Sequence, residues 1–467
     1  MFVFREAPPR SYVLKIVIIG AGEVGFHIAS RLARENKDVV LVDQNPEAIR
    51  RVTDSIDVQC LTGSGSSPTI LEEAGIDKAD ILLAVTDSDE ANLVACLVAD
   101  ILSPTTKKLA RLRNAEFDRY HDTFSENAPH IDTVINPEIE VVKTIERLMS
   151  VPGAVEVGEF TDGRVKFIGV NLDRRAPLAG VLLSEIPAYI KGPRPLIAAI
   201  VRDEKVIIPR GNDRLKPDDL VYFLSEEEHL LDTLVLFGKH SRPLKRVLII
   251  GGGRVGYRLA TILEEKGIYT KIIEKDPRRC SELAEQLNKA VVLHGDGSDQ
   301  GLLAEENVKD MDVVITLTND EEINILASLL VTRMGAHKTI TRISKFSYFP
   351  LMSTIGIEQV VSPRLSAINT ILQHIRKGKV LSAISIKGEQ AEVLEALALE
   401  TSDIVGKPLR DISFPQGALI AGIIDNDKIS IPTGESVIAP NNRIIIFARR
   451  EAIPKVEKIL TVKLEYF

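Results

Sequence analysis

The sequence has little of several features on which common classes of function depend. Tryptophan is absent, and none of the three cysteines, Cys60, Cys96 and Cys280, has the CxxC spacing of a thiolate metal site. No run of about 18 apolar residues occurs, so no membrane-spanning helix is expected. The N-terminal segment lacks the apolar core of a signal peptide. These absences predict a cytoplasmic protein with neither a disulfide framework nor a metal site.

Charge of one sign is not concentrated anywhere in the chain. The 467 residues include 58 lysines and arginines and 66 aspartates and glutamates, which gives a net charge of −8. A mildly acidic chain with mixed charges lacks the basic surface that nucleic-acid binding requires. Apolar residues make up 45% of the chain, and the length predicts about three or four domains of roughly 100–150 residues each.

What the sequence does contain is a long internal repeat. KIVIIGAGEVG at 15–25 recurs as RVLIIGGGRVG at 246–256, with an offset of 231. The segment 61–95 matches 293–327 at an offset of 232, and the segments that begin at Ile197 and Ile420 match at 223. These registers divide the chain into two modules of the same design, A–B–A′–B′.

The two kinds of unit have different patterns. In the A units, apolar strands without alternation are separated by helices, which indicates a parallel sheet buried on both faces, and six such strands indicate a dinucleotide-binding fold. The B units contain short β runs with Asp-Gly and Pro turns. The predicted fold class is α/β: two Rossmann-like doubly wound parallel sheets, each followed by a small α+β lobe. The predicted parts are an N-terminal extension (1–14), the first A unit (15–136), a crossover helix (137–151), the first lobe (152–237), a linker (238–244), the second A unit (245–362), a second crossover helix (363–379) and the second lobe (380–467).

Two helices outside the A units are also predicted. NPEIEVVKTIERLMS carries an apolar stripe at Ile139, Val142, Ile145 and Met149. This stripe packs either on the chain's own lobe or on another subunit. SEEEHLLDTLVLFG is predicted to close the first lobe with a helix whose acidic first turn suits the helix dipole.

The glycine loops are the strongest functional motif. Each loop follows a strand and opens a helix. Its three glycines allow the tight turn, the close approach of a pyrophosphate and the close packing of the helix on the strand. An acid at the end of the second strand would accept ribose hydroxyl hydrogens and repel a 2′-phosphate, which favours NAD over NADP. The alternative is a glycine turn kept for packing alone. The candidate residues are Gly20, Gly22, Glu23, Val24, Gly25 and Asp43 in the first copy and Gly251, Gly253, Arg254, Val255, Gly256 and Glu274 in the second.

Polar residues after the third and fourth strands extend both candidate sites along the carboxyl edge of the sheet. They are Gly63, Ser64, Thr86 and Asp87 in the first copy and Gly295, Asp296, Thr318 and Asn319 in the second. Asp296 could equally serve only as the cap of the next helix, and polar caps are also expected at the other positions. Asn92 and Asn324, on the helices that follow, are further candidates for ligand contact.

The end of the fifth strand distinguishes the two copies. Arg111 and Arg113 share one face of this strand by the period of two, whereas the second copy keeps Arg342 but has Ser344. Paired guanidiniums suit a di- or triphosphate, so the first site is predicted to be the ATP/ADP switch. Salt bridges to nearby acids, Glu116 or Asp118, are the alternative. The change from Glu23 to Arg254 in the glycine loop argues in the opposite direction.

Catalytic residues are the missing part of the pattern. An NAD-dependent enzyme needs a proton donor or acceptor near the substrate carbon, but none of the eight histidines recurs at equivalent positions in the two modules. His27 is expected to pack beside an apolar run. We therefore expect the nucleotide to be a signal and the protein not to be an enzyme. The alternative is an NAD-dependent oxidoreductase with two dinucleotide sites.

The tandem order of these units resembles the TrkA family, the cytosolic regulatory subunits of Trk potassium-uptake systems with RCK-type domains. The resemblance covers Lys15 to about Leu460 and is carried by GAGEVG…LVD, GGGRVG…IIE, the G-[SD]-G-S loops and LLAVTDSDEANLVA. It implies a homotetrameric ring on the inner face of the cell membrane, beneath a membrane-embedded potassium channel or transporter subunit. It also implies that NAD(H) and ATP/ADP bind at the glycine loops and bias the pore. A further alternative is a sensor whose partner is not a potassium channel.

Overall fold

The computed structural model describes residues 13–190, 195–240, 243–375, 380–386, 390–425 and 428–460. They form two compact units. The first contains the described residues up to Pro137 together with Thr370–Ile375, and the second contains Glu138–Asn369 and the described residues beyond 379. The predicted N-terminal extension falls almost entirely outside the described residues, as do parts of the predicted linker and of the second crossover helix.

The first unit is built on a doubly wound parallel sheet. Its described strands run in the order β3-β2-β1-β4-β5-β6, and every neighbouring pair is parallel. This order reverses direction between β1 and β4, which places the predicted site at the carboxyl ends of the strands. The elements are β1 (Lys15–Ile19), α1 (Glu23–Arg34), β2 (Asp38–Asp43), α2 (Pro46–Thr53), β3 (Gln59–Thr62), α3 (Pro68–Glu73), β4 (Ile81–Ala84), α4 (Asp89–Leu102), β5 (Lys107–Arg111), α5 (His121–Glu126) and β6 (Thr133–Ile135). Helix α6 (Pro137–Ser150) follows, and from Glu138 onward it belongs to the second unit.

The first lobe, which lies in the second unit, is an antiparallel sheet closed by a helix. Its described strands have the order β10-β9-β11-β8-β7. The elements are β7 (Ala154–Phe160), β8 (Val165–Asn171), β9 (Leu196–Arg202), β10 (Lys205–Ile207), β11 (Leu220–Glu226) and α7 (Leu230–Leu236). The acidic stretch predicted to open this helix forms instead a 3₁₀ turn, Glu227–His229, and α7 begins directly after it.

The second parallel sheet repeats the first, with its described strands in the order β14-β13-β12-β15-β16-β17. The elements are β12 (Arg246–Ile250), α8 (Arg254–Glu265), β13 (Tyr269–Glu274), α9 (Pro277–Gln286), β14 (Val291–His294), α10 (Gln300–Glu305), β15 (Val313–Thr316), α11 (Glu321–Arg333), β16 (Thr339–Arg342), α12 (Phe349–Met352), β17 (Val360–Val361) and α13 (Pro363–Ile375). The two sheets and the lobes that follow them confirm the predicted fold class.

The second lobe packs face to face on the first within the second unit. Phe167 of the first lobe stacks on Phe447 of the second, with ring centroids 6.5 Å apart, in a core that both sheets share. The described strands have the order β18-β19-β22-β20-β21. The elements are β18 (Val380–Ile386), β19 (Ala391–Leu397), β20 (Ala418–Asp425), β21 (Lys428–Ser430), β22 (Arg443–Arg449) and α14 (Ile453–Leu460).

Helix α6 does not pack where the sequence placed it. Its buried residues Val142, Ile145 and Leu148 share one core with Val255 and Leu259 of α8, in the second A unit of the same chain. Neither predicted destination, the chain's own lobe or another subunit, is the main one. An amphipathic stripe shows that a helix must cover an apolar surface but does not specify which one.

Three negative findings concern only the described part of the chain. No helix there is both long and apolar enough to cross a bilayer. No group of three or more His, Cys, Asp or Glu side chains is placed to hold a metal ion. All three cysteines lie in described segments and are unpaired, and burial raises the pKa of Cys96 to about 12.

Candidate nucleotide-binding sites

Each A unit carries its glycine loop between its first strand and first helix. Gly20 has φ +111°, a conformation that residues with a Cβ rarely adopt. A Cβ on Gly25 would lie 1.8 Å from Gly20 O, so α1 can begin this close to β1 only with glycine there. A Cβ on Gly22, in contrast, would meet no atom within 4 Å. The space over Gly22 is therefore open, as the approach of a pyrophosphate requires.

The second loop has the same geometry. Gly251 has φ +108°, a Cβ on Gly256 would lie 2.1 Å from Gly251 O, and the space over Gly253 is open. Helices α1 and α8 begin directly after Gly22 and Gly253, and neither N-cap glycine provides a side-chain hydrogen bond. The first-turn N–H groups of both helices thus form positively polarised ends that face open space.

The residues beside these glycines have different roles. Val24 and Val255 are 3% and 4% exposed, so they pack beneath the helix and offer a ligand only their backbone N–H groups. Glu23 lies 3.5 Å from Arg51 and 3.9 Å from His27 on the next turn of α1. The His27 ring also contacts Phe26 edge-on at 5.5 Å, in agreement with its predicted packing role.

Asp43 and Glu274 hold the loops from the ends of β2 and β13. Asp43 Oδ2 accepts a hydrogen bond from Ala21 N at 2.6 Å, and Glu274 Oε2 accepts one from Gly252 N at 2.7 Å. Each oxygen has a second lone pair. Both acids therefore keep the capacity to accept ribose hydroxyl hydrogens, and their contact with a ribose stays a prediction.

Two arginines that the sequence analysis missed also hold the loops. Arg51 Nη2 donates to Ala21 O, and Arg279 Nε donates to Gly252 O, both at 2.9 Å. Each guanidinium lies over an aromatic ring of α1 or α8, at 5.6 and 5.8 Å from the ring centroid. The signal for them was present, because an Arg-Arg pair recurs in both copies at an offset of 228. They place a guanidinium beside each candidate site, where Arg51 also pairs with Glu23 at 3.5 Å and Arg279 with Glu282 at 2.7 Å.

The loops after the third strands lie next to the two acids. Gly63 N donates to Asp43 O and Gly295 N donates to Glu274 O, both at 2.9 Å. Ser64 Oγ accepts a hydrogen bond from the amide of Ser66 at 3.3 Å, within the loop. The structure therefore brings these loops to the edge where the acids end their strands.

Asp296 organises its loop and does not cap a helix. Its carboxylate accepts hydrogen bonds from Ser298 N and Oγ at 2.9 and 2.7 Å and from Lys275 Nζ at 2.9 Å. The Ser298 bonds and the Lys275 ammonium lower the pKa of Asp296 to about 2. The N-cap of α10 is Asp299, so the alternative in which Asp296 caps this helix is wrong.

Thr86 and Thr318 are fixed by buried asparagines. Thr86 N and Oγ1 donate to Asn92 Oδ1 at 2.9 and 2.7 Å, and Asn92 Nδ2 donates to Arg111 O at 2.8 Å. Thr318 and Asn324 repeat the first two bonds at 2.9 and 2.8 Å. Both asparagines are 0% exposed, so they position the loops and are not placed for direct contact with a ligand.

Arg111 and Arg113 meet at one carboxylate. Arg111 Nη2 lies 2.6 Å from Asp87 Oδ1 and Arg113 Nη2 lies 3.8 Å from the same oxygen. Neither arginine pairs with Glu116, and the Asp118 side chain lies outside the described residues. Burial lowers the pKa of Arg111, and its buried Nε has no partner among the described residues. A phosphate at this edge would therefore compete with Asp87 for both guanidiniums.

The second copy has a different charge at this place. Asn319 stands where the first copy has Asp87, and Arg342 Nη1 donates to Asn319 Oδ1 at 3.1 Å. Burial lowers the pKa of Arg342. Within the described residues Arg342 forms no ion pair like that of Arg111 with Asp87, although the charges of Glu138 and Glu321 act to raise its pKa.

A residue from outside the second A unit reaches its glycine loop. Glu138, in the first turn of α6, has its Oε1 2.9 Å from Arg254 Nη2. Arg254 is 61% exposed and follows Gly253 directly. The sequence analysis missed Glu138. The first loop has Glu23 where the second has Arg254, and the first crossover helix starts with Glu138 where the second has Arg364. Such a double reversal of charge is the signal that could have found the pair.

Comparison with known families agrees with this arrangement. The model of the TrkA-N domain matches residues 16–137 and 247–363, and the model of the TrkA-C domain matches 168–238 and 393–461. The chain belongs to the TrkA family.

Curated relatives match over the full length. The chain is 38% identical to a Trk system potassium uptake protein TrkA of Azorhizobium caulinodans, with 97% of this chain and 100% of the relative covered. Identity is 36% to the TrkA of Halomonas elongata, at the same coverage, and 36% to a TrkA homologue of Methanosarcina mazei, at 95% and 99% coverage. These relatives are named as potassium uptake proteins and not as enzymes.

Solved structures show the same fold. The structure entitled "GsuK channel bound to NAD" has a TM-score of 0.59 at 18% identity and covers 97% of this chain and 80% of its own. The GsuK RCK domain has the same TM-score and identity, with 97% and 96% covered. The tandem TrkA-N and TrkA-C arrangement is thus an RCK-type fold.

Proposed function

We propose that this TrkA-family chain is the nucleotide-sensing regulatory subunit of a Trk-type potassium uptake system. It binds NAD(H) and ATP/ADP at its two glycine loops and controls a membrane-embedded potassium channel or transporter subunit, which holds it at the inner face of the cell membrane. The observation that carries the proposal is the double preservation of the loop geometry, with open space over Gly22 and over Gly253. Selection for packing alone would not require that space.

The chemistry of each site suits a nucleotide. A pyrophosphate would lie on the first-turn amides of α1 or α8, while Asp43 or Glu274 accepts the ribose hydroxyl hydrogens. Arg111 and Arg113 would hold the additional phosphate of ATP at the first site by displacing Asp87, whose side chain is 89% exposed and free to turn outward. In this proposal the nucleotide is a ligand and no residue of the site transfers a hydride.

Regulation requires that the nucleotide bind one conformation of the assembly better than another. The Arg254–Glu138 pair offers such a difference at the second site, because a bound phosphate competes with Glu138 for Arg254. Glu138 is the first residue of the second compact unit, directly after Pro137 of the first. Nucleotide charge can thus act on the helix that continues the chain from one unit to the other.

The proposed assembly is a homotetramer, and α4 supplies a candidate surface for it. Val94, Leu97 and Ile101 are 43%, 40% and 72% exposed and lie on one face of this helix by their spacing. Ile101→Asp should lower the oligomeric state measured by light scattering. Leu231→Asp, at a 52% exposed leucine of α7, is the matched control.

Potassium flux into vesicles that contain the membrane subunit and this chain tests the proposal. Gly22→Asp with Gly253→Asp places a carboxylate in both open spaces, and Asp is a good N-cap, so folding should be retained while phosphates are repelled. We expect flux to lose its response to NADH, ATP and ADP. Gly211→Asp, whose Cβ would meet only Ser184 at 3.7 Å, is the control. An unchanged nucleotide response in the double variant would reject the proposal.

Two further arms of this experiment resolve its details. Arg111→Ala with Arg113→Ala should remove the difference between ATP and ADP while NADH still acts through the second site. A hydride assay with NADH and a panel of small keto acids should give no turnover. Reproducible turnover would instead favour an oxidoreductase.

A further inference from the structure

A cleft of about 810 Å³ opens at the amino edge of the second parallel sheet. It lies at the opposite edge from the glycine loop, because all strands of this sheet are parallel and the loop follows the carboxyl end of β12. The end of α6, the segment after the first lobe and the starts of β15 and β16 line it. The volume is in the range of small-molecule sites.

One wall of the cleft holds an unsatisfied acceptor. Gln359 is 5% exposed, and its Nε2 donates to Ala154 O at 2.5 Å. Its Oε1 is buried and has no hydrogen-bond partner among the residues that the structure describes. A buried acceptor that stays unpaired carries a free-energy cost. A ligand with a hydrogen-bond donor would remove that cost.

The same cleft contains a lysine without a carboxylate. Lys338 Nζ donates to Leu148 O at 2.5 Å, and within the described residues no acidic side chain pairs with it. Desolvation lowers the pKa of this ammonium to about 8. Lys338 remains mostly charged at neutral pH. An anion that binds there would form an ion pair with an ammonium that has already lost part of its hydration.

The other charged side chains described in the cleft already have an ion-pair or hydrogen-bond partner. Lys239 lies 2.5 Å from Asp173 and Lys266 lies 2.6 Å from Glu146. Asp312 accepts hydrogen bonds from two backbone amides at 2.8 Å. Glu358, a further lining residue, accepts one from Asn171 at 2.9 Å. Among the lining groups described above, Lys338 and Gln359 are those with unused capacity, and His240 and His337 also line the cleft.

The first copy shows that the fold does not require this arrangement. There, the next lysine along the strand, Lys108, is buried and lies 2.9 Å from Asp100, and its own backbone N–H donates to Asp132 at 2.7 Å. The strand registers make Lys107 and Thr133 the equivalents of Lys338 and Gln359. The buried amide is thus specific to the second copy.

We propose that this cleft binds an oxyanion that carries its own hydroxyl donor. The simplest such ligand is hydrogen phosphate, and a hydroxyl-bearing phosphate ester is the larger form of the same chemistry. A P–O⁻ oxygen pairs with Lys338 Nζ, and the hydroxyl donates to Gln359 Oε1. Sulfate has the same shape but no proton at neutral pH, so Gln359 gives the site a preference for phosphate over sulfate. This binding does not depend on the nucleotide function.

Calorimetry with inorganic phosphate, glycerol phosphate and sulfate tests the proposal. Phosphate also suits the helix ends at the glycine loops, so the titrations use the full-length Gly22→Asp, Gly253→Asp protein, in which those ends are blocked. We expect one phosphate or glycerol phosphate per chain, with sulfate at least tenfold weaker. The tighter of the two phosphates identifies the form of the ligand. No binding of either, or equal binding of sulfate and phosphate, would overturn the proposal.

Variants of the two groups separate their roles. Lys338→Met should weaken phosphate binding at least tenfold, whereas the control Lys107→Met should leave it unchanged. Gln359→Leu should abolish the discrimination between phosphate and sulfate, and the isosteric Gln359→Glu should weaken both anions by charge repulsion. Phosphate binding that survives Lys338→Met, or is lost equally in Lys107→Met, would refute the assignment. The nucleotide sites are blocked throughout, so neither result bears on the proposed function.

Discussion

Arg254 Nη2 lies 2.9 Å from Glu138 Oε1, so a carboxylate on α6 contacts the glycine loop of the second half of the chain. Helix α6 is anchored there by apolar residues that share a core with α8. The second candidate site therefore contains a group that a phosphate must displace or outcompete. No equivalent is seen in the described residues around the first loop, where Glu23 pairs with Arg51 and His27 of its own A unit.

Glu138→Gln should strengthen nucleotide binding at the second site. The change removes the carboxylate that competes for Arg254, and because this arginine is largely exposed, the gain should not exceed about 1 kcal/mol, or about fivefold in Kd. Calorimetry with NADH in the Gly22→Asp protein measures the second site alone. Glu140→Gln, on the same helix, is the control. Weaker binding in Glu138→Gln would show that Glu138 supports the site.

Asp87→Asn should strengthen ATP binding at the first site. It removes the anion that holds Arg111 and Arg113 and reproduces the asparagine that the second copy carries as Asn319. The reciprocal change, Asn319→Asp, should weaken ATP binding at the second site. Titration of ATP into the two single variants checks this pair. If ATP binds more weakly to Asp87→Asn and more tightly to Asn319→Asp, or if neither affinity changes, phosphates do not reach the ends of β5 and β16.

Asp43→Asn should shift the first site toward NADPH. In the wild type the Asp43 carboxylate repels a 2′-phosphate. Once that charge is removed, Arg51, which also holds the loop through Ala21 O, can attract the 2′-phosphate. We expect the ratio of NADH to NADPH affinity to fall at least tenfold in the Gly253→Asp protein, where only the first site remains. Asp38→Asn, at the exposed start of β2, should leave the ratio unchanged. A constant ratio in Asp43→Asn would place the ribose elsewhere.

Lys338→Met should stabilise the protein in a pH-dependent manner. Desolvation lowers the folded-state pKa of Lys338 from 10.5 to about 8, so the charged form disfavours folding, with its full effect below pH 8. As the pH rises from 8 to 10.5 the unfolded chain binds more protons and this cost disappears. Thermal unfolding in phosphate-free buffer should give a higher Tm for Lys338→Met at pH 7 and no difference near pH 10.5. A constant difference across this range would mean that the gain comes from packing.

The regular part of the architecture could be predicted from the sequence because it rests on local signals. Continuous apolar strands indicate a buried parallel sheet, and a proline indicates the start of α2. The glycine spacing at 20–25 indicates a dinucleotide-binding turn. Two copies of every signal removed the remaining ambiguity. This is why the sheets and both glycine loops have the predicted form.

The contacts that distinguish the two sites could not be predicted in the same way. Helix α6 crosses to the second A unit, Arg113 turns to Asp87, and the Asp296 carboxylate binds Ser298 and Lys275. Each outcome depends on which side chains the tertiary fold brings together, and periodicity within one segment does not contain that information. Comparison between the copies does contain some of it, as the charge reversals at Arg254 and Glu138 show.

The stoichiometry of NADH binding to the purified chain tests the central claim most directly. The account predicts two NADH per chain in the wild type, one in Gly22→Asp or Gly253→Asp, and none in the double variant, with thermal stability retained because aspartate caps each helix. Two NADH per chain in the double variant, with its fold intact, would contradict the claim that the glycine loops are the nucleotide sites.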